Sequence, residues 1–348
     1  MIDSIRSGDA RALSRAISTV ENRVPGWSDL LKALFPHTGQ ARVIGLTGAP
    51  GAGKSTLVDQ LAKLYRKTTN PHSSRKERGL NGAPGWTRNP HPVSQNARDK
   101  GGATTLGDEN YTVGIIAVDP TSPYTGGAIL GDRIRMQDHF ADPGIYIRSM
   151  ATRGSLGGLA RTTADVASVL DASGRDVILI ETVGVGQDEV EIVRLADITI
   201  VILVPGMGDD VQTIKAGIME IADIFVINKS DRDGAERVER EIRALQSLAT
   251  RNDGWTPPIV KTVASEGKGV EELAAAVAEY EVYLQKENRA LKKSVENWQE
   301  RLVEMLRDAM LEKARAQMSD GTLRRLAAEV AEHRRDPYTL VEEIAGKS

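Results

Sequence analysis

Nine consecutive residues, Gly48-Ala49-Pro50-Gly51-Ala52-Gly53-Lys54-Ser55-Thr56, fit the spacing G-x-x-x-x-G-K-[ST] without a mismatch. The chemistry such a stretch can do is phosphate binding. Its glycines let successive backbone N–H groups point into one concavity. A helix beginning at the end of the loop adds unpaired donors and partial positive charge. Lys54 supplies a full charge to β- and γ-phosphates, and the Ser55 hydroxyl can ligate Mg²⁺. The apolar run 43–47 before the loop reads as a buried strand. After it, Leu57, Val58, Leu61, Ala62, Leu64 and Tyr65 recur at helical spacing. Strand, glycine loop and helix together favour a phosphate site over a glycine-rich turn without a ligand.

Asn228-Lys229-Ser230-Asp231 fits N-K-x-D directly after another apolar run. An Asp231 carboxylate can accept from N1–H and the 2-amino group of guanine. Adenine lacks that donor pair and would leave the acceptor unpaired, at a cost of about 1–3 kcal/mol. The stem of Lys229 can cover the face of the base. Taken alone, Ser230 or Asp231 could equally cap the next helix; downstream of a phosphate loop, guanine recognition is the expected role. Val263, Ala264 and Ser265 fall where backbone N–H groups could reach the guanine O6. Asp119, Asp132 and Glu181 are the carboxylates expected near the phosphates as Mg²⁺ organisers, directly or through water. Glu181 lies within an apolar strand end, where an acid needs a partner. The following Thr182-Val183-Gly184-Val185-Gly186-Gln187 has two glycines suited to a backbone that moves when phosphate leaves. Gln187 lies further along than a water-orienting glutamine usually does, so slow intrinsic hydrolysis is expected.

The elements that must position these residues alternate. Strands are expected at 42–47, 113–118, 176–182, 198–204, 224–227 and 259–264, with a short edge strand at 145–147. Helices are expected at 54–66, 159–170, 189–195, 211–221, 235–248 and from about 269. Continuous apolar strands alternating with helices predict an α/β fold, a mostly parallel sheet covered on both faces. Ligands on such sheets sit at the carboxyl ends of the strands, where Gly48, Asp119, Glu181, Pro205 and Asn228 all fall. Residues 1–40 read as a helical extension, 41–275 as the nucleotide domain and 276–348 as a helical arm. Residues 67–111 show neither period and contain Pro71, Pro84, Pro90 and Pro92, which predicts a long surface insert. Leu284, Leu291, Val295, Trp298, Leu302, Met305 and Ala309 form a heptad-type stripe. The stripe would pack on its own domain or on a second subunit.

The chain has 348 residues, 40% hydrophobic and 27% charged, with net charge −3 and no cysteine. No basic excess points to nucleic acid. Disulfides, thiolate catalysis and Cys metal sites are excluded. The apolar runs are strand-sized rather than membrane-sized, and no signal-peptide pattern opens the sequence, so a cytoplasmic location without membrane contact is expected.

The chain resembles the methylmalonyl-CoA mutase-associated GTPases, the MeaB-type chaperones of adenosylcobalamin-dependent mutases. The resemblance is carried by Gly48 to Thr56, Val118 to Pro123, Thr125 to Arg133, Arg153 to Gly158, Glu181 to Gln187, Pro205 to Asp210, Asn228 to Asp231 and Asp336 to Thr339. The segments at Thr125 to Arg133 and Glu181 to Gln187 are the specific ones. The resemblance implies a P-loop GTPase that binds GTP and GDP with Mg²⁺, a homodimer joined through C-terminal helices, and an acyl-CoA mutase as partner. GTP would gate cobalamin loading. Matching positions make Asp119, Asp132 and Glu181 organisers of Mg²⁺ and the switches, and Lys215 a candidate for partner-stimulated hydrolysis. The insert at 67–111, where the family has a short turn, is the departure. A metal-insertion GTPase is the nearest alternative, but it would need Cys or His ligands, and the five histidines are scattered. A kinase acting on a transport protein lacks a recognisable acceptor site here. A regulatory module holding nucleotide only structurally would be told apart by mutase affinities that ignore the γ-phosphate.

Overall fold

The computed structural model describes residues 1–69, 110–119, 139, 141–151, 158–182, 195–206, 221–248, 253–316, 318 and 321–346. It divides into two compact units, Met1–Leu291 and Lys292–Ser348. The first is built on seven parallel strands: β1 (Arg42–Gly48), β2 (Val113–Asp119), β3 (Ile145–Ala151), β4 (Val177–Glu181), β5 (Ile198–Leu203), β6 (Ile224–Asn228) and β7 (Ile259–Thr262). Their order is β3-β2-β4-β1-β5-β6-β7. Every residue of β4 and β6 is buried, because both faces of a parallel sheet are covered by helices.

Alternation along each strand sends neighbouring side chains to opposite faces. On one face Ile44, Leu46, Val177, Leu179, Ile200 and Ile202 pack with Leu57, Leu61 and Tyr65 of α4 (Lys54–Lys67). Leu273, Val277 and Tyr280 of α7 (Val270–Gln285) join them. On the other, Ile116, Val118, Ile178 and Ile180 pack with Val166, Val169 and Leu170 of α5 (Gly158–Ala172). The N-terminal helices α1 (Ile2–Arg6), α2 (Ala10–Glu21) and α3 (Trp27–Leu34) belong to that second layer through Ile5, Leu13, Ile17 and Leu34. Burying each such side chain contributes about 1.5–3 kcal/mol, so the extension is part of the sheet's cover. Asp171 fixes its exit: the carboxylate accepts from the backbone N–H groups of Gly39, Gln40 and Ala41. The buried apolar residues from Ile5 to Val20 are split between two helices, because Asp9 leaves the helix and caps α2 by accepting from Ala12 N.

β3 is seven residues long and pairs with β2 along its whole length, longer than the short strand expected. Arg148 and Ser149 interrupt its apolar run. The N-terminal layer meets it instead with polar contacts, Tyr146 Oη with Ser14 Oγ at 3.1 Å and Arg148 with Glu21. On the far side of the sheet α6 (Ala235–Leu248) packs Val238 and Ile242 on Phe225 and Ile227. The far edge strand β7 has four residues, with Lys261 exposed and paired to Glu239 at 2.7 Å.

The helices expected over 189–195 and 211–221 lie, apart from Leu195 and Ile221, outside the described residues. So does most of the expected insert, but its two ends are visible. Thr69 and Asn110 form an antiparallel bridge, and Tyr111 N donates to Thr68 O. The described chain on either side of 70–109 therefore meets at one point. That point lies beyond the C-terminus of α4 and before β2, away from the strand ends that hold the glycine loop.

A 3₁₀ turn at Lys286–Asn288, with Asn288 at φ +55°, separates α7 from α8 (Arg289–Ala316). The predicted stripe is therefore not one helix. Leu284 packs against the core of the first unit, and the stripe proper starts at Leu291. The second unit continues with α9 (Thr322–Ala331) and α10 (Pro337–Gly346), which bury Leu326 and Leu340. Among the described residues no helix is long and apolar enough to cross a membrane.

Candidate functional site

The glycine loop connects β1 to α4 at the carboxyl edge of the sheet. Two of its glycines are required by close approach as well as by backbone shape. Gly48 has φ +149°, and a Cβ there would stand 2.2 Å from the carbonyl oxygen of Ile202 on β5. Gly53 has φ +88°, and a Cβ there would stand 2.3 Å from Asn228 Nδ2. Neither gap accepts a methyl group, so the loop presses directly on β5 and β6. Pro50, Gly51 and Thr56 are exposed, while Ala52 and Lys54 are buried.

Lys54 Nζ donates to the carbonyls of Gly48 at 2.7 Å and Ala49 at 3.1 Å. These bonds hold its ammonium inside the curve of the loop, where an anion would meet it. Ser55, at the second position of α4, donates Oγ–H to Glu181 Oε1 at 2.6 Å. Glu181 closes β4, is 5% exposed and pairs in register with Leu46 of β1. The next residue, Thr182, donates its backbone N–H to Leu46 O at 3.1 Å, which fixes that strand end beside the loop.

Asn228 joins three pieces of the site. Its Nδ2 donates to Ala52 O at 2.8 Å, while Oδ1 accepts from Thr262 Oγ1 and Ala264 N, each at 3.1 Å. One buried amide thus ties the glycine loop, the end of β6 and the turn after β7. Lys229 takes the left-handed conformation at φ +53° and donates Nζ to Gly51 O at 2.8 Å, so its stem lies across the loop. Asp231 and Ser265 are exposed at the rim, and Ala264 is buried in the 3₁₀ turn Ala264–Glu266 that follows Val263.

The structure thus brings together Gly48 to Thr56, Glu181, Asn228, Lys229, Asp231 and Val263 to Ser265. Asp119 ends β2 on the same sheet edge, with Ala117 in register with Glu181. Asp132, Gln187 and Lys215 lie outside the described residues. Sequence reasoning missed Thr262, whose hydroxyl completes the Asn228 network. Its only signal was its place at the end of the last strand, one residue before the segment already singled out. Chemically, the arrangement offers a loop of backbone donors, the buried ammonium of Lys54 with that of Lys229 across the loop, a hydroxyl–carboxylate pair suited to a hard cation, and an exposed carboxylate at the opposite end.

Residues 13–71 and 78–319 match the family described as methylmalonyl Co-A mutase-associated GTPase MeaB. A putative GTPase from Pyrococcus abyssi is 43% identical, the alignment covering 99% of this chain and 94% of that protein. GTPase ArgK of Escherichia coli is 34% identical over 81% of this chain and 76% of its own length. A crystal structure of a protein titled LAO/AO transport system kinase shares the fold. Its TM-score is 0.65 at 24% identity, covering 99% of this chain and 95% of that one. With phosphate loop, guanine motif and sheet order in place, the chain belongs to the MeaB family of methylmalonyl-CoA mutase-associated GTPases.

Proposed function

We propose that this GTPase is a nucleotide-gated chaperone for an adenosylcobalamin-dependent acyl-CoA mutase. The carrying observation is Asn228, which links the phosphate loop to the elements that would read the base. Through it, a change at the phosphates is felt at the guanine end, and the reverse. The loop N–H groups and Lys54 hold the phosphates of GTP or GDP, and Asp231, Lys229 and the turn Val263 to Ser265 hold guanine. Mg²⁺ fits the donor set: a P-loop hydroxyl against a buried carboxylate is chemistry for a hard, oxygen-liganded cation. Ser55 would hold it, with Glu181, Asp119 and Asp132 directly or through water. When bound, it neutralises charge developing on the β- and γ-oxygens.

Within the chain, Lys54 exchanges its two carbonyl partners for phosphate oxygens, and Glu181 keeps the Ser55 hydroxyl oriented. No residue in the described site is placed as a base for the attacking water, which suits slow turnover alone and a rise on meeting the client. Lys215 is the candidate for that rise. The exposed stripe on α8 (Leu291, Val295, Trp298, Leu302 and Met305) is best accounted for by a second copy of the chain, giving a homodimer.

The test is titration of GTP and ATP against the purified protein, followed by single-turnover hydrolysis with and without an adenosylcobalamin-dependent mutase. Equal ATP and GTP affinity would remove the guanine assignment. Turnover and mutase affinity that ignore the partner and the γ-phosphate would remove the chaperone role.

A further inference from the structure

The loop after β6 and the turn after β7 are laced together. Ser230 N donates to Thr262 O at 3.1 Å, and Ala264 N donates to Asn228 Oδ1. The turn then closes on itself. Glu266 N donates to Val263 O, Gly267 N to Ala264 O, and Val263 N to Lys268 O. Gly267 and Gly269 are both left-handed, at φ +70° and +78°, and a Cβ on Gly269 would strike the carbonyl oxygen of Lys261. The backbone thus sets Glu266 and Lys268 on the same rim as Asp231.

Asp231 is exposed, and among the described residues its carboxylate accepts no hydrogen bond and forms no ion pair. Cations stand around it nonetheless. Arg232, the next residue, makes no ion pair with it. Lys229 donates Nζ to Gly51 O at 2.8 Å. Lys268 donates Nζ to Glu266 Oε2 at 2.6 Å. Glu266 holds the Lys268 ammonium above its ordinary pKa, and the Asp231 charge adds a smaller push in the same direction. Lys268 therefore feels Asp231 without being paired to it. Its side chain is 73% exposed, and a flexible four-carbon stem lets an ammonium released by Glu266 turn to the other acid. A carboxylate already paired with an ammonium must shed that partner before it can accept from N1–H and the 2-amino group of a base.

We propose that Glu266 is a positioning residue for guanine recognition: it holds Lys268 away from Asp231 and so keeps that carboxylate open to the base. This rests on the reading of Asp231 as the guanine acceptor.

The experiment titrates GDP and ADP into the full chain by calorimetry, at low and at high ionic strength. It compares wild type, Glu266→Gln, Lys268→Met and the double variant, with melting temperatures beside them. All the altered side chains are largely exposed, so the fold should be kept. Expected at low ionic strength is a fall in GDP affinity of about three- to fivefold in Glu266→Gln, the scale of an exposed ion pair that binding must break. Lys268→Met and the double variant should stay within about 1.5-fold of wild type. High ionic strength should shrink the loss in Glu266→Gln by screening the new pair. Long-range Coulomb effects run the other way: removing an acid near a bound anion strengthens its binding, and removing a cation weakens it. A loss in Glu266→Gln that Lys268→Met rescues is therefore specific to the release of Lys268. Unchanged or strengthened GDP binding in Glu266→Gln, or a loss that persists in the double variant, would overturn the proposal. A wild-type protein that binds ADP as well as GDP would instead overturn the guanine reading itself, whatever the variants do.

Discussion

Gly53 combines a left-handed backbone with an amide nitrogen 2.3 Å from where a Cβ would stand. Gly53→Ala therefore meets about 1–3 kcal/mol of backbone strain and must also displace Asn228. Isothermal titration is expected to show GDP and GTP affinity falling together. Asn228→Ala makes the complementary break. It strands a buried donor or acceptor on Ala52, Thr262 and Ala264, at about 1–3 kcal/mol for each group that finds no water. A lowered melting temperature in the absence of nucleotide would check it. At Asp142 the Arg66 guanidinium holds the carboxyl below its ordinary value, against a smaller upward push from burial. A depressed carboxyl gives stability that is present above its unfolded value and lost as pH falls through the folded one. The melting-temperature gap between wild type and Asp142→Asn is thus expected near neutrality and should close below about pH 4. Most of this site was legible in the sequence because phosphate loops and guanine motifs are contiguous strings whose residue types follow from ligand chemistry. Thr262 was not, because its partner Asn228 is distant in the chain and only the sheet brings the two together.

At the scale of elements, the strands were legible wherever both faces are buried, as in β4 and β6, since an unbroken apolar run needs no alternation to be recognised. β3 was read short because its outward side chains meet a polar layer, so Arg148 looked like an end. The break between α7 and α8 was hidden for the reverse reason: Leu284 continues the heptad spacing across a turn that only backbone geometry at Asn288 reveals. The helix that follows presents Trp298, Leu302 and Met305 to solvent. Covering each large apolar side chain contributes about 1.5–3 kcal/mol, so Leu302→Lys combined with Met305→Lys is expected to convert a dimer to monomer by light scattering. The nucleotide affinity of the first unit should stay within about twofold, since the sites are far apart in the chain and share no described partner. The bridge between Thr69 and Asn110 makes a further expectation. Replacing 70–109 by a short turn should leave GDP affinity intact, because the ends already meet and no described residue of the phosphate site lies between them. Loss of binding in that deletion would show that the segment reaches the nucleotide.

At the scale of the whole molecule, the two compact units divide the tasks proposed for this chain: nucleotide chemistry in Met1–Leu291, self-association in Lys292–Ser348. The first contains the sheet and both covering layers, so it is expected to fold and bind GDP alone, with a cooperative melt raised by nucleotide. A parallel sheet that ends in an open strand carries a hazard of a different kind. Among the described residues nothing pairs with the outer edge of β7, so each newly made copy presents a row of backbone groups to every other copy. β7 answers this by being only four residues long and by pointing Lys261, held by Glu239, outward. A charge desolvated against another backbone makes stacking of edges unfavourable. Lys261→Val would remove that guard without touching the nucleotide site. Its signature would be loss of yield into inclusion bodies and turbidity on refolding, while the fraction that stays dispersed hydrolyses GTP as before.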